Sequence, residues 1–206
     1  MNANPALEFW FDFGSNYSYL SMMRIEALAA AVGINVVLKP FLLGPIFKSF
    51  GWETSPFVLQ RKKGDYTWRD MERQCEKYSL PWHKPSVFPR RALLPTRLAL
   101  AAAGEPWLND FCKLVMHANF VDDREIDDLE TMTELLARLQ VAPQAWIAAA
   151  QGETAKMALR SQSDLAAEGG VFGAPTFFVG QEMFWGNDRL EDALAFAQKC
   201  VFARPS

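Results

Sequence analysis

Residues 7–18, LEFWFDFGSNYS, decide the fold of this chain. Residues 7–13 are apolar, aromatic and partly alternating, which predicts a buried strand that ends at Gly14. Apolar positions then recur at helical spacing over residues 19–32, and Gly33 is a natural C-terminal stop for a helix. Residues 34–38 are rich in β-branched side chains and predict a second strand. This order predicts a βαβ unit, whose parallel strands are joined by a right-handed crossover.

The middle of the chain is predicted to be helical. Residues 40–56 are interrupted by glycine and proline, and no further strand is predicted before residue 176. Apolar periodicity and first-turn proline or aspartate predict helices over 66–78, 95–103, 106–119, 127–139, 143–151 and 154–168. Strand patterns return at 176–179 and 183–185 around a Gly180-Gln181 turn, which predicts a hairpin. A last helix is predicted from residue 187 or 188 to about residue 203.

This order of elements predicts an α/β protein with a thioredoxin-like fold and a large all-helical insertion. We expect a single domain over residues 1–206. Its thioredoxin part would comprise about residues 5–46 and 169–206, and the helical insertion about residues 47–168.

The composition of the 206 residues argues against several classes of function. A formal net charge of −3 offers no basic field for nucleic acid or an anionic membrane, so small ligands are the expected partners. No signal-peptide pattern and no run near the ~20 apolar residues of a membrane-spanning helix is present, which predicts a cytoplasmic protein. The cysteines Cys75, Cys112 and Cys200 are odd in number and far apart, so neither disulfides nor a metal site is expected.

Ser15 and Ser18 stand near the start of the first predicted helix. In a thioredoxin-like fold these positions carry the cysteines of a Cys-x-x-Cys motif, faced by an x-Pro step, which here is Ala174-Pro175. The chain therefore keeps the architecture of a thiol site without a protein thiol, and we expect the sulfur to arrive with a ligand. Because serine is a good helix N-cap, a purely structural role for Ser15 is the alternative.

A ligand sulfur beside Ser15 would meet its hydroxyl and the positive end of a helix dipole, and both stabilise a thiolate. Lowering a thiol pKa of ~8.5 by two units takes about 2.7 kcal/mol. One hydrogen bond to a charged group, roughly 1.5–3 kcal/mol, and a dipole contribution of roughly 0.3–1 kcal/mol cover that amount. We therefore predict that Ser15 orients and activates a ligand thiol and need not act as a nucleophile itself.

Four segments spanning nearly the whole chain carry a resemblance: residues 11–20 (FDFGSNYSYL), 39–44 (KPFLLG), 173–177 (GAPTF) and 185–190 (WGNDRL). Together they resemble the DsbA-like family, and within it the glutathione-dependent branch of 2-hydroxychromene-2-carboxylate isomerases and kappa-class glutathione transferases. The resemblance implies glutathione as cofactor, bound between the thioredoxin part and the insertion, and a homodimer. Asn16 departs from the pattern, since the branch commonly has proline there, and so do Trp52 and Arg90-Arg91 on the substrate side.

The resemblance also implies which residues bind glutathione: Ser15, Ala174, Pro175, Trp185, Gly186, Asn187 and Asp188. Pro175 is expected to be cis, with the backbone of Ala174 pairing like a strand with the cysteinyl part of the tripeptide. Asn187 and Asp188 are expected to meet its γ-glutamyl end, whose ammonium Asp188 could bind. Capping of the last helix explains these two residues as well, and the two roles are compatible.

A carboxylate on the substrate, or the glycyl carboxylate of glutathione, needs a cation. Lys48 and Lys63 follow the second strand in a stretch predicted to be a loop that faces the cleft, and Lys63 belongs to a local positive cluster. We predict Lys48, Lys63, Arg91 and Tyr17 as substrate-binding residues, with Arg90 as an alternative carboxylate ligand. Solvated surface lysine is the alternative for each lysine. Some of the aromatic residues Trp52, Trp68, Trp82 and Phe88 could line an aromatic pocket.

These observations predict a glutathione-dependent isomerase of an aromatic or conjugated carboxylate, of the 2-hydroxychromene-2-carboxylate type. A kappa-like glutathione transferase is the nearest alternative, because it uses the same sulfur but releases the conjugate. A non-catalytic thioredoxin-fold binding module is a further alternative, since loss of the cysteines could also mark a retired enzyme. An ordinary DsbA-like oxidoreductase is disfavoured, because Ser15 and Ser18 cannot form a redox pair.

Overall fold

The structure, a computed structural model, describes residues 6–202 of the chain. Its strands are β1 (Leu7–Phe11), β2 (Val36–Pro40), β3 (Thr176–Val179) and β4 (Glu182–Trp185). Its helices are α1 (Asn16–Ala31), α2 (Leu43–Ser49), α3 (Pro56–Leu59), α4 (Arg61–Tyr78), α5 (Leu93–Ala101), α6 (Leu108–Phe120), α7 (Leu129–Arg138), α8 (Pro143–Gln151), α9 (Glu153–Glu168) and α10 (Leu190–Phe202), with a 3₁₀ turn at Asn187–Arg189. Residue 5 and residues 203–206, at the predicted ends of the thioredoxin part and of the last helix, lie outside the described residues.

The four strands form one mixed sheet in the order β2-β1-β3-β4. β1 pairs parallel with β2, so that Phe9 lies opposite Leu38, and antiparallel with β3, so that Phe9 also lies opposite Phe177. β3 and β4 form the predicted antiparallel hairpin. The thioredoxin-like fold with many helices between β2 and β3 is therefore confirmed.

Both faces of the sheet are covered, and the side chains of β1 point alternately into the core on each face. Leu7, Phe9 and Phe11 are fully buried in the main core, in which the Phe9 and Phe177 rings stack 5.2 Å apart. Trp10 belongs instead to a smaller core with Phe41 and residues of α2 and α9. α1 and α10 pack on the main-core side, and α1 also contacts α4 and α6 of the insertion. α1 therefore connects the sheet to the helical block.

The elements nearest the site differ most from their predicted bounds. α1 begins at Asn16 and not at residue 19, because the Ser15 hydroxyl accepts from the N–H of Ser18 and caps the helix. α2 forms within the glycine- and proline-interrupted residues 40–56, and α3 begins at the last of them, Pro56; neither helix was predicted. Pro56 is tolerated in α3 because its missing N–H falls in the first turn. α2 also crosses the predicted boundary between residues 46 and 47.

Candidate active site

The loop between β1 and α1 is held in place by Asp12. One carboxylate oxygen of Asp12 accepts from the N–H of Gly14 at 2.7 Å, and the other accepts from the N–H of Leu43 at 2.8 Å. The N–H of Ser15 donates to the carbonyl of Asp12 at 2.9 Å. Burial raises the pKa of the Asp12 carboxyl and outweighs the two backbone N–H bonds, which lower it. Asp12 thus connects the start of α1 to the start of α2.

Arg90 supports the same loop from the insertion. Its side chain is only 3% exposed, and its guanidinium donates to Asn119, Ser86 and Asp123. The amide of Asn119 in turn donates to the carbonyl of Phe13 at 2.9 Å. Because these groups take both terminal nitrogens of Arg90, it is a structural residue. Arg90 also lines the cleft, but to hold a carboxylate in a bidentate fork it would have to give up bonds to Asn119 or Asp123.

The hydroxyl of Ser15 occupies the N-cap of α1 and is 8% exposed. It accepts from the N–H of Ser18 at 3.2 Å and donates to the carbonyl of Ala174 at 3.0 Å. Ser15 is therefore the N-cap of α1, which is the structural role considered as the alternative. The contact with Ala174 also shows that the two segments singled out from the sequence meet, although they are 159 positions apart.

The Ala174–Pro175 peptide bond is cis, which confirms that prediction. The carbonyl of Ala174 accepts from Ser15, while its N–H donates to no atom of the described residues. The carbonyl of Pro175 accepts from the N–H of Gly186 at 2.9 Å, which brings the 185–188 loop beside the Pro175 step. Gly186 has a φ of 110°, a backbone conformation that favours glycine. The N–H of Ala174 is thus a free donor within the described residues, next to the cis peptide bond.

Ser15 and Ala174 lie in a cleft of about 1090 Å³ between the thioredoxin part and the insertion. Nearly all the residues predicted for the site line this cleft: Ser15, Tyr17, Lys63, Arg91, Ala174, Pro175, Trp185, Gly186, Asn187 and Asp188. The stretch from Leu42 to Phe57 contributes apolar lining residues, namely Leu42, Leu43, Phe47, Trp52 and Phe57, together with polar ones such as Glu53 and Thr54. α4 contributes the polar side chains of Lys63, Tyr66, Thr67, Asp70 and Gln74. The cleft therefore offers both apolar and polar contacts to a ligand.

Of the two lysines predicted to bind the substrate, only Lys63 lines the cleft. Lys63 lies in the first turns of α4, with its ammonium 5.8 Å from the centre of the Phe57 ring, and none of the ion pairs within residues 6–202 involves it. Lys48 lies near the end of α2, is exposed and is not among the residues that line the cleft. Both residues sit in helices, where a loop was predicted. Lys63 is thus the lysine placed to meet a ligand in the cleft.

The other predicted substrate residues are differently placed. The side chain of Arg91 is 82% exposed at the cleft, and its Nε lies 3.7 Å from Asp127. The phenol of Tyr17 donates to Asp70 at 2.7 Å, and burial raises its pKa further above the ordinary range. Tyr17 therefore stays protonated at neutral pH. Of the four aromatic residues considered, Trp52 and Phe88 line the cleft, whereas Trp68 and Trp82 stack on each other behind it.

The γ-glutamyl side of the predicted cofactor site is formed by residues 185–188. Asn187 is buried, and its side-chain oxygen accepts from Arg24 and Ser21, both at 3.1 Å. One oxygen of Asp188 accepts from Arg189 at 2.9 Å, and the residue is exposed. Asp188 is therefore a carboxylate at the rim of the cleft, where a cationic group of a ligand could replace or join Arg189.

Sequence reasoning missed Asn16 as a residue of the site. It lines the cleft as the first residue of α1 but is only 1% exposed, and its side-chain nitrogen has no hydrogen-bond partner in the described part of the chain. Asp12 and Asp70 were also missed as lining residues. The only signal for Asn16 was its departure from the Ser-Pro pattern, and Asp12 was marked only by its place at the end of an aromatic strand.

The cleft has no protein thiol among its lining residues. Cys75 and Cys112 are buried elsewhere, and burial raises the pKa of Cys75 to about 12 and that of Cys112 as well. Within residues 6–202, no cluster of three or more His, Cys, Asp or Glu side chains is arranged to hold a metal ion. None of the helices in that part is both long and apolar enough to cross a membrane.

Two curated relatives have the same name. A 2-hydroxychromene-2-carboxylate isomerase from Sphingobium xenophagum is 29% identical over 191 residues, which cover 90% of this chain and 94% of that protein. An isomerase of the same name from Pseudomonas putida is 29% identical over 187 residues, which cover 89% of this chain and 90% of that protein.

Solved structures share the fold at lower identity. A 2-hydroxychromene-2-carboxylate isomerase superposes with a TM-score of 0.85 at 24% identity, covering 97% of this chain and all of that one (100%). The cytosolic disulfide reductase DsbM from Pseudomonas aeruginosa with GSH superposes with a TM-score of 0.66 at 18% identity, covering 96% and 99%.

The family model described as DSBA-like thioredoxin domain matches residues 6–196. This match includes β1, the Ser15 turn, the whole helical insertion and the Ala174–Pro175 step. It therefore covers both halves of the cleft, and the chain belongs to the DSBA-like thioredoxin domain family.

Proposed function

We propose that this protein is a glutathione-dependent isomerase of an aromatic or conjugated carboxylate, of the 2-hydroxychromene-2-carboxylate type. The observation that carries the proposal is the placement of the Ser15 hydroxyl at the N-terminus of α1, in contact with Ala174 and in a cleft without a protein thiol among its lining residues. The names of the two curated relatives support the reaction, and the DsbM neighbour described with GSH supports the cofactor.

The donor set of the cleft fits glutathione. The free N–H of Ala174 suits the peptide backbone of its cysteinyl part, and Asp188 suits its ammonium. Trp185 would cover one side of the tripeptide from the rim. When bound, glutathione would supply a nucleophilic sulfur for reversible addition to a conjugated double bond.

The side chains that line the cleft would stabilise the negative charge of the sulfur and hold the substrate in position. The Ser15 hydroxyl can turn from the Ala174 carbonyl toward a sulfur, and the α1 dipole adds to its stabilisation of negative charge. Lys63 would bind the substrate carboxylate, with Arg91 as the second cation at the rim. Phe47, Trp52 and Phe57 would pack on the aromatic part of the substrate and exclude water.

The test is the rate of 2-hydroxychromene-2-carboxylate isomerisation with and without glutathione, together with a count of the glutathione consumed. We expect turnover to require glutathione without consuming it. Stoichiometric consumption would favour the transferase. Absence of glutathione binding by calorimetry, with no thermal protection at millimolar ligand, would overturn the proposal and favour a binding module.

A Ser15→Ala variant tests the role of the hydroxyl. Loss of one hydrogen bond to a charged group, roughly 1.5–3 kcal/mol, raises the pKa of the bound thiol by about one to two units. If that pKa is ~6.5 in the parent protein, the rate at pH 7 should fall about 4- to 40-fold and recover near pH 9. Ser18→Ala is the control, because the Ser18 hydroxyl has no partner in the described residues. An unshifted pH profile in Ser15→Ala would refute this role.

An Asp188→Ala variant tests the γ-glutamyl site. Since Asp188 is proposed to bind the ammonium and does not contact the reacting sulfur, we expect the glutathione concentration for half-maximal rate to rise. The rate at saturating glutathione should change little. Equal requirements for glutathione in the variant and the parent protein would remove Asp188 from the proposed site.

A further inference from the structure

The side-chain amide of Asn187 is held in one orientation. Its oxygen accepts from Nη1 of Arg24 and from the hydroxyl of Ser21, each at 3.1 Å. An arginine can only donate, so the group that faces α1 must be the amide oxygen. The amide nitrogen donates to no atom of the described residues, and Asn187 lines the cleft. The nitrogen is therefore the end of the side chain that is available to a ligand.

The side chain of Arg24 is held by contacts with residues of two other helices. It projects from α1, forms an ion pair with Glu191 of α10, and lies 3.6 Å above the centre of the Tyr78 ring at the end of α4. Its side chain is 11% exposed, and it does not line the cleft. Arg24 therefore makes no direct contact with a ligand in the cleft, and Asn187 is the lining residue to which it is hydrogen-bonded.

We propose that Arg24, assisted by Ser21, is a positioning residue that turns the amide nitrogen of Asn187 toward the cleft and so makes the site select an anionic oxygen. This inference rests on the proposed function, in which that oxygen belongs to the γ-glutamyl carboxylate of glutathione. Asn187 then supplies a donor for the carboxylate beside Asp188, the acceptor for the ammonium. Without Arg24 the amide can rotate and present its oxygen, which repels a carboxylate.

The experiment compares two ligands by calorimetry on the full chain. Glutathione carries the γ-glutamyl group, and cysteinylglycine lacks it. An Arg24→Met variant should bind glutathione roughly 10- to 100-fold more weakly, the range expected for one hydrogen bond to a charged group. Its affinity for cysteinylglycine should stay within about 2-fold, and Arg24→Lys should restore part of the glutathione affinity because its ammonium can still donate to the Asn187 oxygen. The rate at saturating glutathione should be nearly unchanged.

Two controls separate positioning from general damage. Arg69→Met removes the same charge from the exposed face of α4 and should change neither affinity. Asn187→Asp keeps the shape of the side chain and its contact with Arg24 but has no donor, so it should show the same ligand-selective loss even if Arg24→Met folds poorly.

Each outcome decides the proposal. Parent-like glutathione binding by either Arg24→Met or Asn187→Asp would overturn it while leaving the proposed function intact. Equal weakening for both ligands would also overturn it, because it would indicate a general change in α1. If the parent protein fails to bind glutathione, the proposed function falls and this inference falls with it.

Discussion

Asn16 offers a test in which one substitution should stabilise the protein. Asn16 is the first residue of α1, and its side-chain nitrogen is buried without a partner in the described residues. Its backbone N–H is one of the helix-terminal groups without an intrahelical acceptor, and no other described atom takes it. Ser15 before it has φ −89° and ψ 117°, a conformation that a residue preceding proline readily adopts. Asn16→Pro should therefore fit without loss of a hydrogen bond.

The expected gain combines two contributions. Removing a buried, unpartnered polar group recovers about 1–3 kcal/mol. Proline at a compatible position adds about 0.4–1 kcal/mol by restricting the unfolded chain. Some packing of the asparagine side chain is lost, so we expect a net gain of about 1–3 kcal/mol. With a urea m-value of ~2 kcal/mol/M, the unfolding midpoint should rise by roughly 0.5–1.5 M.

The assay is urea unfolding at pH 7, followed by far-UV circular dichroism and tryptophan fluorescence. Leu129→Pro is a matched control, because Leu129 is the exposed first residue of α7 and follows an N-cap whose side chain also accepts a backbone N–H. It should show at most the smaller contribution from the unfolded chain, because proline also removes the Leu129 N–H, which helps to lower the pKa of the Asp128 carboxyl. Asn16→Ala should show only the contribution from the amide. A midpoint for Asn16→Pro no higher than that of the parent protein would show that the buried amide does not destabilise the fold.

Two further substitutions, Gly64→Ala and Asp123→Asn, test close packing in α4 and the ion pair of Arg90. Gly64→Ala should lower the unfolding midpoint although alanine favours helices by about 1 kcal/mol, because its Cβ would lie 2.2 Å from the carbonyl oxygen of Phe57. Gly44→Ala, with open space around the new Cβ, is its control, and a midpoint for Gly64→Ala at or above the parent value would contradict this expectation. The hydrogen bond from Arg90 lowers the pKa of Asp123 to about 2. Because the unfolded carboxyl has a higher pKa, the ionised Asp123 stabilises the folded state fully above about pH 4, and this stabilisation is lost as the pH falls toward 2. Unfolding midpoints of Asp123→Asn should therefore lie below parent values at pH 6 and approach them near pH 2, and a constant difference between these pH values would be inconsistent with that linkage.

Much of the fold could be predicted because its signals are local. The alternation and aromatic content of β1, the glycine that follows α1 at residue 33 and the hairpin turn at Gly180 are set by neighbours a few residues apart. α2 and α3 were missed because glycine and proline usually mark loops, whereas here the prolines lie in first turns and the helices are stabilised by packing on neighbouring elements.

The site was only partly predictable. Ser15 and the Ala174–Pro175 step were identified from the chain because turn chemistry and family resemblance mark them, and the structure brings them to 3.0 Å. The two lysines could not be told apart, because which side of a helix faces the cleft depends on how that helix packs. Arg90 was an open alternative in the sequence, yet the structure buries it among Asn119 and Asp123.

From the amino acids alone we could predict the four strands, most of the helices and the serine that stands in place of a cysteine at the start of α1. These follow from composition and short-range pattern, which act before the chain is packed. Packing was needed to show that Lys63 lines the cleft while Lys48 does not, that Arg90 is bonded to Asn119 and Asp123, and that Arg24 is bonded to Asn187. Arg24 and Asn187 are 163 positions apart, and contacts at such separations exist only once the helices have packed on the sheet.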